Sequence, residues 1–451
     1  MRLAGVCVRW RDVVYSTPTL WSRLRLSQRK PKAKLAVFAN AANDRLSELV
    51  SSASVGNVTA SIAPHCATLS LIDLRLPPTV MLADAIGTLR NAFSPALRHV
   101  HLTCASRESG MLGTATNDIG WDDLYGCIGP DGLADPWAQV ETLALTCVNL
   151  IHPVDVSTPA ALPHFPQMRR IVFSNSRYLT AGLLDRRGIG LQDLLERTPR
   201  LAELTITAGS FGHARTFIAD GTAAVPTPGV LVLPELESLT YSQSTIHSFE
   251  ELAWDLPALK RLDVSHPRLT TAQSSIYTRI LFPASAPDLL PNLTSLNLAR
   301  TLLDEPLLIR NLGRLPALVE LQVGLCNVSN ALVEALTLPS AGQAAAAADV
   351  CPRLEVLGLA HSEALTGGPI LRLVASRLAP SDAAGPSASP LPSTGAAAGR
   401  SVLRSLDLDA CLAVEAKALE WLRPRLVTLN AKGSVGQKPA GFADKLRQRY
   451  A

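Results

Sequence analysis

PALVELQVGLCN, residues 316–327, sets the reading of the rest of the chain. Leu318, Leu321 and Val323 stand at offsets 0, 3 and 5, and Cys326 stands at offset 8. Side chains two apart on a strand point to the same face. Leu321 and Val323 therefore share one face of a short strand, and Leu318 and Cys326 close the turns on either side. A unit of this size cannot bury its apolar face alone. It needs a neighbour stacked on each side.

The neighbours are in the sequence. Offsets 0, 3 and 5 recur as Leu97/Val100/Leu102, Val140/Leu143/Leu145, Met168/Ile171/Phe173, Leu201/Leu204/Ile206, Leu236/Leu239/Tyr241 and Leu259/Leu262/Val264. They continue as Leu293/Leu296/Leu298, Leu318/Leu321/Val323, Leu354/Leu357/Leu359, Leu403/Leu406/Leu408 and Leu426/Leu429/Ala431. Several copies follow a proline, as in LPALKRLDV, LPNLTSLNL and CPRLEVLGL. The mean step is roughly 33 residues, against about 20 to 29 for the leucine-rich repeat whose L-x-x-L-x-L-x-x-N/C framework this is. The long steps, 97 to 140 and 354 to 403, must carry insertions. Helical stripes fall between copies: Leu191/Leu194/Leu195, Leu308/Leu312/Leu315, Leu332/Ala335/Leu336 and Ile370/Leu373/Val374/Leu378. The expected fold is an α/β leucine-rich-repeat solenoid, with a curved parallel sheet inside and helices outside.

Composition agrees with a long core, since 47% of the residues are apolar. No run approaches the ~18 uncharged apolar residues of a membrane span. The opening MRLAGVCVRWRDVV carries charges through its apolar part and does not read as a signal peptide. The eight cysteines are scattered, with no C-x-x-C pair, which points to a reducing compartment, cytoplasmic or nuclear. Residues 1–34 hold nine Arg or Lys against the single Asp12, while the whole chain is only +4. That basic front is either a solvated surface or a docking surface for an acidic partner. QRKPKAK, residues 28–34, is a weak nuclear-import-like run. No aromatics are interleaved with these cations, so a nucleic-acid partner is not expected.

Residues 3–14 place Leu3, Val6, Cys7, Trp10, Val13 and Val14 on one helical stripe. Ser16-Thr17-Pro18 ends that helix, and Trp21/Leu24/Leu26 repeats the 0, 3, 5 pattern as a first strand. The run V-C-x-x-W-R-D-V-V-x-S-T-P-x-L-W-S-x-L-x-L, residues 6–26, resembles the C-terminal half of an F-box and its junction to following repeats. It is similar to fungal F-box proteins with leucine-rich-like repeats. The matching positions are Val6, Cys7, Trp10, Arg11, Ser16, Pro18, Leu20, Trp21 and Leu24. The family's first helix, with its L-P-x-E-like motif, has no counterpart here, so the chain starts inside what would be the second helix. The resemblance implies the substrate-recognition subunit of an SCF-type, cullin–RING ubiquitin ligase. Val6, Trp10, Val13, Pro18, Leu20 and Trp21 would serve a Skp-type adaptor, and the repeats would hold the target protein. As written, the chain is expected to bind the adaptor weakly or not at all. The alternative is a plain repeat scaffold with a truncated or non-functional box.

The remaining expectations follow the chain. Leu35 and Val37 suggest a short strand; residues 43–52 suggest a helix, with Leu46, Leu49 and Val50 on one face. Cys66/Leu69/Leu71 reads as a weak repeat strand. Residues 106–136, 221–234 and 379–400 read as insertions, the last too poor in large apolar residues to pack. The expected divisions are a partial F-box at 1–26, irregular first repeats at 27–96 and the solenoid at 97–451.

No catalytic signature is present: neither G-x-x-x-x-G-K-[ST], G-x-S-x-G, H-E-x-x-H nor a dinucleotide fingerprint. His99 and His101 share a strand face, but no third ligand is spaced to complete a metal site. Asp407 and Asp409 share a face in the register of every other repeat, as a solvated strand would have them. No cofactor, metal or enzymatic activity is expected. The informative residues are those at offsets 2, 4 and 6, which face away from the core on the concave side. They are mostly Ser, Thr and small polar groups, with His99, His101, Arg170, Glu203, Arg261, Asp263, Asn297, Glu320, Gln322, Asp407 and Asp409 as candidate partner contacts.

Overall fold

The computed structural model describes residues 8–26, 31–42, 46–51, 69–76, 96–104, 118–120, 136–152, 165–180, 191–207, 210–211, 230–242, 245–246, 253–265, 290–301, 303–326, 328–339, 349–378 and 401–433. Two compact units result: residues 1–236 with 244–254, and residues 237–243 with 255–451.

In the first unit seven parallel strands follow one another: Arg23–Leu26, Glu48–Ser51, Leu71–Leu76, His99–Cys104, Thr142–Thr146, Arg170–Ser174 and Glu203–Thr207. Offset-3 residues meet offset-3 residues throughout, in the row Leu24, Leu49, Ile72, Val100, Leu143, Ile171, Leu204. All seven are buried. The second unit repeats the arrangement in strands Ser238–Ser242, Arg261–Ser265, Ser295–Asn297, Glu320–Gln322, Val356–Gly358, Ser405–Asp407 and Thr428–Asn430. Its row is Leu239, Leu262, Leu296, Leu321, Leu357, Leu406, Leu429. Leu262, Leu296 and Leu321 are buried side by side, as the shared offset requires. Each such side chain contributes about 1.5–3 kcal/mol by burial. All eleven copies read in the sequence lie on these strands, and the fold is a leucine-rich-repeat solenoid.

Three more copies precede them. Trp21/Leu24/Leu26, Leu46/Leu49/Ser51 and Leu69/Ile72/Leu74 take offsets 0, 3 and 5, and all are buried. Four sequence expectations differ from the structure. Residues Pro31–Ala42 form a helix, not a strand, and Glu48–Ser51 is a strand, not part of a helix. The repeat read at Cys66/Leu69/Leu71 is in fact three residues further on. Part of the expected insertion at 221–234 is also ordered structure. Val230–Val232 is a strand, and Leu231 and Leu233 are buried. The stretch 379–400 lies outside the described residues.

Seven of the strands are followed by a repeated bend. The offset-7 residue has positive φ in seven copies: Cys147, Asn175, Arg300, Leu325, His361, Ala410 and Gly433. This left-handed turn aims its N–H at the offset-6 carbonyl of the next repeat. Cys147 N donates to Ser174 O at 2.7 Å, Asn175 N to Thr207 O at 2.7 Å, Leu325 N to Ala360 O at 2.7 Å and His361 N to Asp409 O at 2.7 Å. The offset-8 side chain then donates back to the offset-5 carbonyl of the preceding repeat. Ser176 Oγ reaches Leu145 O at 3.0 Å, Cys326 Sγ reaches Leu298 O at 3.1 Å and Cys411 Sγ reaches Leu359 O at 3.2 Å. Buried carbonyls need such partners, which explains the small donor at this position.

The outer layer differs between the units. In the second unit it is helical: Glu305–Leu312, Asn330–Ala335, Gly367–Ser376 and Ala416–Leu422. The starts of Asn330–Ala335 and Gly367–Ser376 are bonded from the preceding repeat, whereas Glu305–Leu312 is capped by its own Asp304. Glu305 accepts from Ser329 N at 2.8 Å, Ser329 Oγ at 2.8 Å and Leu332 N at 3.1 Å. Asn330 Oδ1 accepts from Thr366 N at 3.0 Å. At the other end, buried Arg377 donates to Leu336 O (2.7 Å), Cys351 O (3.0 Å) and Val350 O (3.0 Å). Leu336 is a helix C-cap, where cations are favoured. In the first unit a second parallel sheet takes this place. It joins Asp118–Gly120, Asn149–His152, Arg177–Thr180, Ser210–Phe211 and Thr245–Ile246. Among the described residues of that region, the outer helix is Leu191–Glu196, with Leu194 and Leu195 buried.

Candidate functional site

Two surfaces carry the candidate residues. The first is the front end. Helix Val8–Tyr15 is closed by Ser16 and Thr17, whose hydroxyls donate to Val13 O at 3.2 and 2.7 Å. The 3-10 turn Pro18–Trp21 then runs directly into the first repeat strand. Trp21 locks the junction. Its ring is buried, its Nε1 donates to Val14 O at 2.7 Å, and it meets Phe38 edge-on at 4.8 Å. Val13 and Leu20 stay out in solvent, 45% and 59% exposed, with Val8 beside them in the sequence at 67%. Exposed side chains of this size are ordinary singly; here three fall within thirteen residues of one another. Of the six residues expected here, Trp21 is core, and Val13 and Leu20 are surface. Val6 and the side chains of Trp10 and Pro18 lie outside the described residues.

The second surface is the polar face of the sheet. In the first unit His99 Nδ1 lies 3.1 Å from Thr142 Oγ1, and Arg170 pairs with Glu203 at 3.2 Å. His101 sits in register with Asp73. Burial holds its pKa below the ordinary value, with Asp73 pulling the other way and His99 and Arg170 adding to the fall. In the second unit the offset-4 row runs Asp263, Asn297, Gln322, Gly358, Asp407, Asn430. Its amides and carboxylates are already bonded to one another. Asn430 Nδ2 and Asp409 N both donate to Asp407 Oδ1 at 3.0 Å. Ser295 Oγ and Gln322 Nε2 donate to Glu320 at 2.9 and 3.3 Å. Burial raises the pKa of Asp263, against Asn297 and Arg261, which lower it. Arg261 is exposed.

The structure therefore brings together His99, His101, Arg170 and Glu203 in one unit, and Arg261, Asp263, Asn297, Glu320, Gln322, Asp407 and Asp409 in the other. Two charged pairs on this face were missed: Asp73 with Arg75 at 3.3 Å, and Arg23 with Glu48 at 2.8 Å. Their signal was present in LSELVS and LSLIDL, which carry the repeat pattern. The carboxylates of the offset-4 row are fixed by neighbours rather than aimed at a shared vacant point. Among the described residues, no group of three or more His, Cys, Asp or Glu could hold a metal ion. No described helix is long and apolar enough to cross a membrane. What the face offers is a rigid array of hydrogen-bonding groups.

No family model matches the chain, and no curated protein matches it. Solved structures with similar folds include an internalin from Listeria monocytogenes, at 11% identity and a TM-score of 0.38, covering 92% of this chain and 88% of that one. Yeast Rad7, solved in complex with Elc1, gives 17% identity and a TM-score of 0.37, over 80% of this chain and 83% of that one. TLR13, solved with a single-stranded RNA, gives 15% identity and a TM-score of 0.42, over 86% of this chain and 46% of that one.

Proposed function

We propose that this chain is the substrate-recognition subunit of an SCF-type ubiquitin ligase. On this reading residues 1–26 serve a Skp-type adaptor, residues 27–96 join that segment to the array, and the polar face of the repeats at 97–451 holds a target protein. The observation that carries it is the exposed pair Val13 and Leu20 on either side of a junction fixed by buried Trp21. Val13 and Leu20 fall on the stretch that resembles an F-box. Water-exposed apolar side chains held on a rigid base are what a docking partner covers. The polar face supplies the second half: many directed donors and acceptors, few aromatic anchors, and carboxylates such as Glu320 and Asp409 that favour a partner with basic groups. No metal, cofactor or catalytic group takes part in this role. Its setting is cytoplasmic or nuclear.

The test is a pull-down of the adaptor with the chain as given, and with the chain fused behind an F-box first helix. The fused form should retain the adaptor stably, and the chain as given should retain it weakly or not at all. Val13→Asp with Leu20→Asp in the fused form should release it at least about tenfold, the scale of one lost apolar anchor. Both side chains are exposed, so the thermal midpoint should not move. Failure of the fused form to bind would favour a plain leucine-rich-repeat scaffold.

A further inference from the structure

We propose that Cys104 and Cys147 are a redox pair, closing into a disulfide between adjacent repeats when met by a small disulfide oxidant such as oxidised glutathione. The two residues occupy the same position, offset 7, of consecutive repeats. Strands His99–Cys104 and Thr142–Thr146 run parallel, and their paired residues end at Thr103 with Thr146. Cys104 and Cys147 are one step beyond that pair. Neighbouring parallel strands lie about 4.8 Å apart, inside the roughly 4.4–6.8 Å between Cα atoms that a disulfide spans. Cys147 is near enough to add, after burial, to the rise of the Cys104 pKa. The backbone at Cys147 is pinned, with φ at 56° and its N–H on Ser174 O at 2.7 Å. Cys104 is the last residue of its strand, whereas Cys147 stands one residue past the end of its own, in the left-handed bend.

The remaining described cysteines lack this arrangement. Cys326 and Cys411 are at offset 8 of repeats separated by a third, which carries Ser362, and each donates to a backbone carbonyl. Cys351 lies ahead of its strand and donates to Leu312 O. Among the described residues, no other two cysteines share one position of adjacent repeats.

The two sulfurs differ in a useful way. Cys104 is 2% exposed, whereas Cys147 is half-buried and also hydrogen-bonded by the Asn175 side chain, which favours its thiolate. Burial keeps both thiols protonated at neutral pH, so the exchange runs slowly through a small thiolate fraction. Cys147 thiolate attacks one sulfur of oxidised glutathione, forms a mixed disulfide and releases glutathione thiolate. Cys104, losing its proton, then attacks the Cys147 sulfur and expels the second glutathione thiolate. The protein loses two protons and two electrons, and one oxidised glutathione becomes two reduced ones. Reduced glutathione in excess reverses both steps.

The experiment uses the full chain, folded, incubated with oxidised glutathione at mildly alkaline pH, then alkylated and mapped without reduction. The expected product is a single linked peptide pair joining Cys104 to Cys147, with a higher thermal midpoint that reverts on reduction, since a cross-link restricts the unfolded chain. In Cys104→Ser the same treatment should leave glutathione on Cys147. A wild-type product in which Cys147 keeps glutathione while Cys104 stays a thiol would overturn the proposal. So would a bridge from either residue to a different cysteine, or no reaction of the folded chain.

Discussion

At the scale of single residues, the left-handed bend at offset 7 is the most regular feature, and the least readable from sequence. Only Asn175, His361 and Gly433 are of residue types enriched at positive φ. Cys147, Arg300, Leu325 and Ala410 are not, and in each the N–H meets the next repeat's carbonyl. Ala410 and Gly433 isolate the cost. At Gly433 a Cβ would meet nothing closer than 3.8 Å, so only the backbone, at φ 82°, opposes a side chain. Gly433→Ala should therefore destabilise by about 1 kcal/mol, and Ala410→Gly should be neutral or stabilise by up to about 1 kcal/mol. Urea unfolding measures both; a clear loss in Ala410→Gly would mean that the bend carries no strain. Asp263 gives a pH signature. Its pKa is raised above the ordinary 3.8, so its contribution to stability is fully present below that value and is lost as pH rises through the folded value. At neutral pH the ionised group costs stability. Asp263→Asn should raise the urea midpoint at about pH 7 and leave it unchanged near pH 3. A lower midpoint at neutral pH would show that the Asn297 and Arg261 interactions outweigh burial.

Elements were legible where the repeat spacing stood beside a proline or a strong stripe, and illegible where one spacing served two structures. Leu46 and Leu49 are three apart, which fits a helical face and also offsets 0 and 3 of a repeat. Composition could not separate them; the neighbouring strands did. The reverse error at residues 31–42 has the same origin. Leu35 and Val37 alternate like a strand, yet Pro31 opens a helix and Leu35 and Ala42 bury one face of it. The stripes at 191–195, 308–315, 332–336 and 370–378 predict helices in the outer layer, with loops between them. That holds for the described part of the second unit, whereas the first unit places a row of short parallel strands there. The capping of one helix from the preceding repeat was not readable either, because Glu305 precedes Ser329 by a whole unit. Glu305 serves three donors at the start of the next helix. Glu305→Ala should cost about 1–2 kcal/mol, the scale of a lost cap with a charged acceptor. Hydrogen exchange should quicken at Leu332 first; equal protection in both forms would show that water replaces the carboxylate without loss.

For the whole molecule, the repeated L-x-x-L-x-L made the scaffold readable, because burial at offsets 3 and 5 admits one register only. The function is less legible, since the period shows which side chains face away from the core but not what they bind. The inner-face candidates were found because they alternate with the core, and the front-end candidates because of a resemblance. In the proposed function these two surfaces have separate tasks: Val13 and Leu20 serve the adaptor, and the polar face serves a target. Quantitative co-purification from cells, with the chain fused behind an F-box first helix, tests that division most directly. Three forms are compared: the unaltered fusion, Val13→Asp with Leu20→Asp, and Arg261→Glu with Glu320→Lys. The first variant should lose the adaptor and cullin while keeping the other captured proteins. The second should keep adaptor and cullin and lose at least one protein that the unaltered fusion captures. Loss of both sets together in either variant, or of neither, would contradict it.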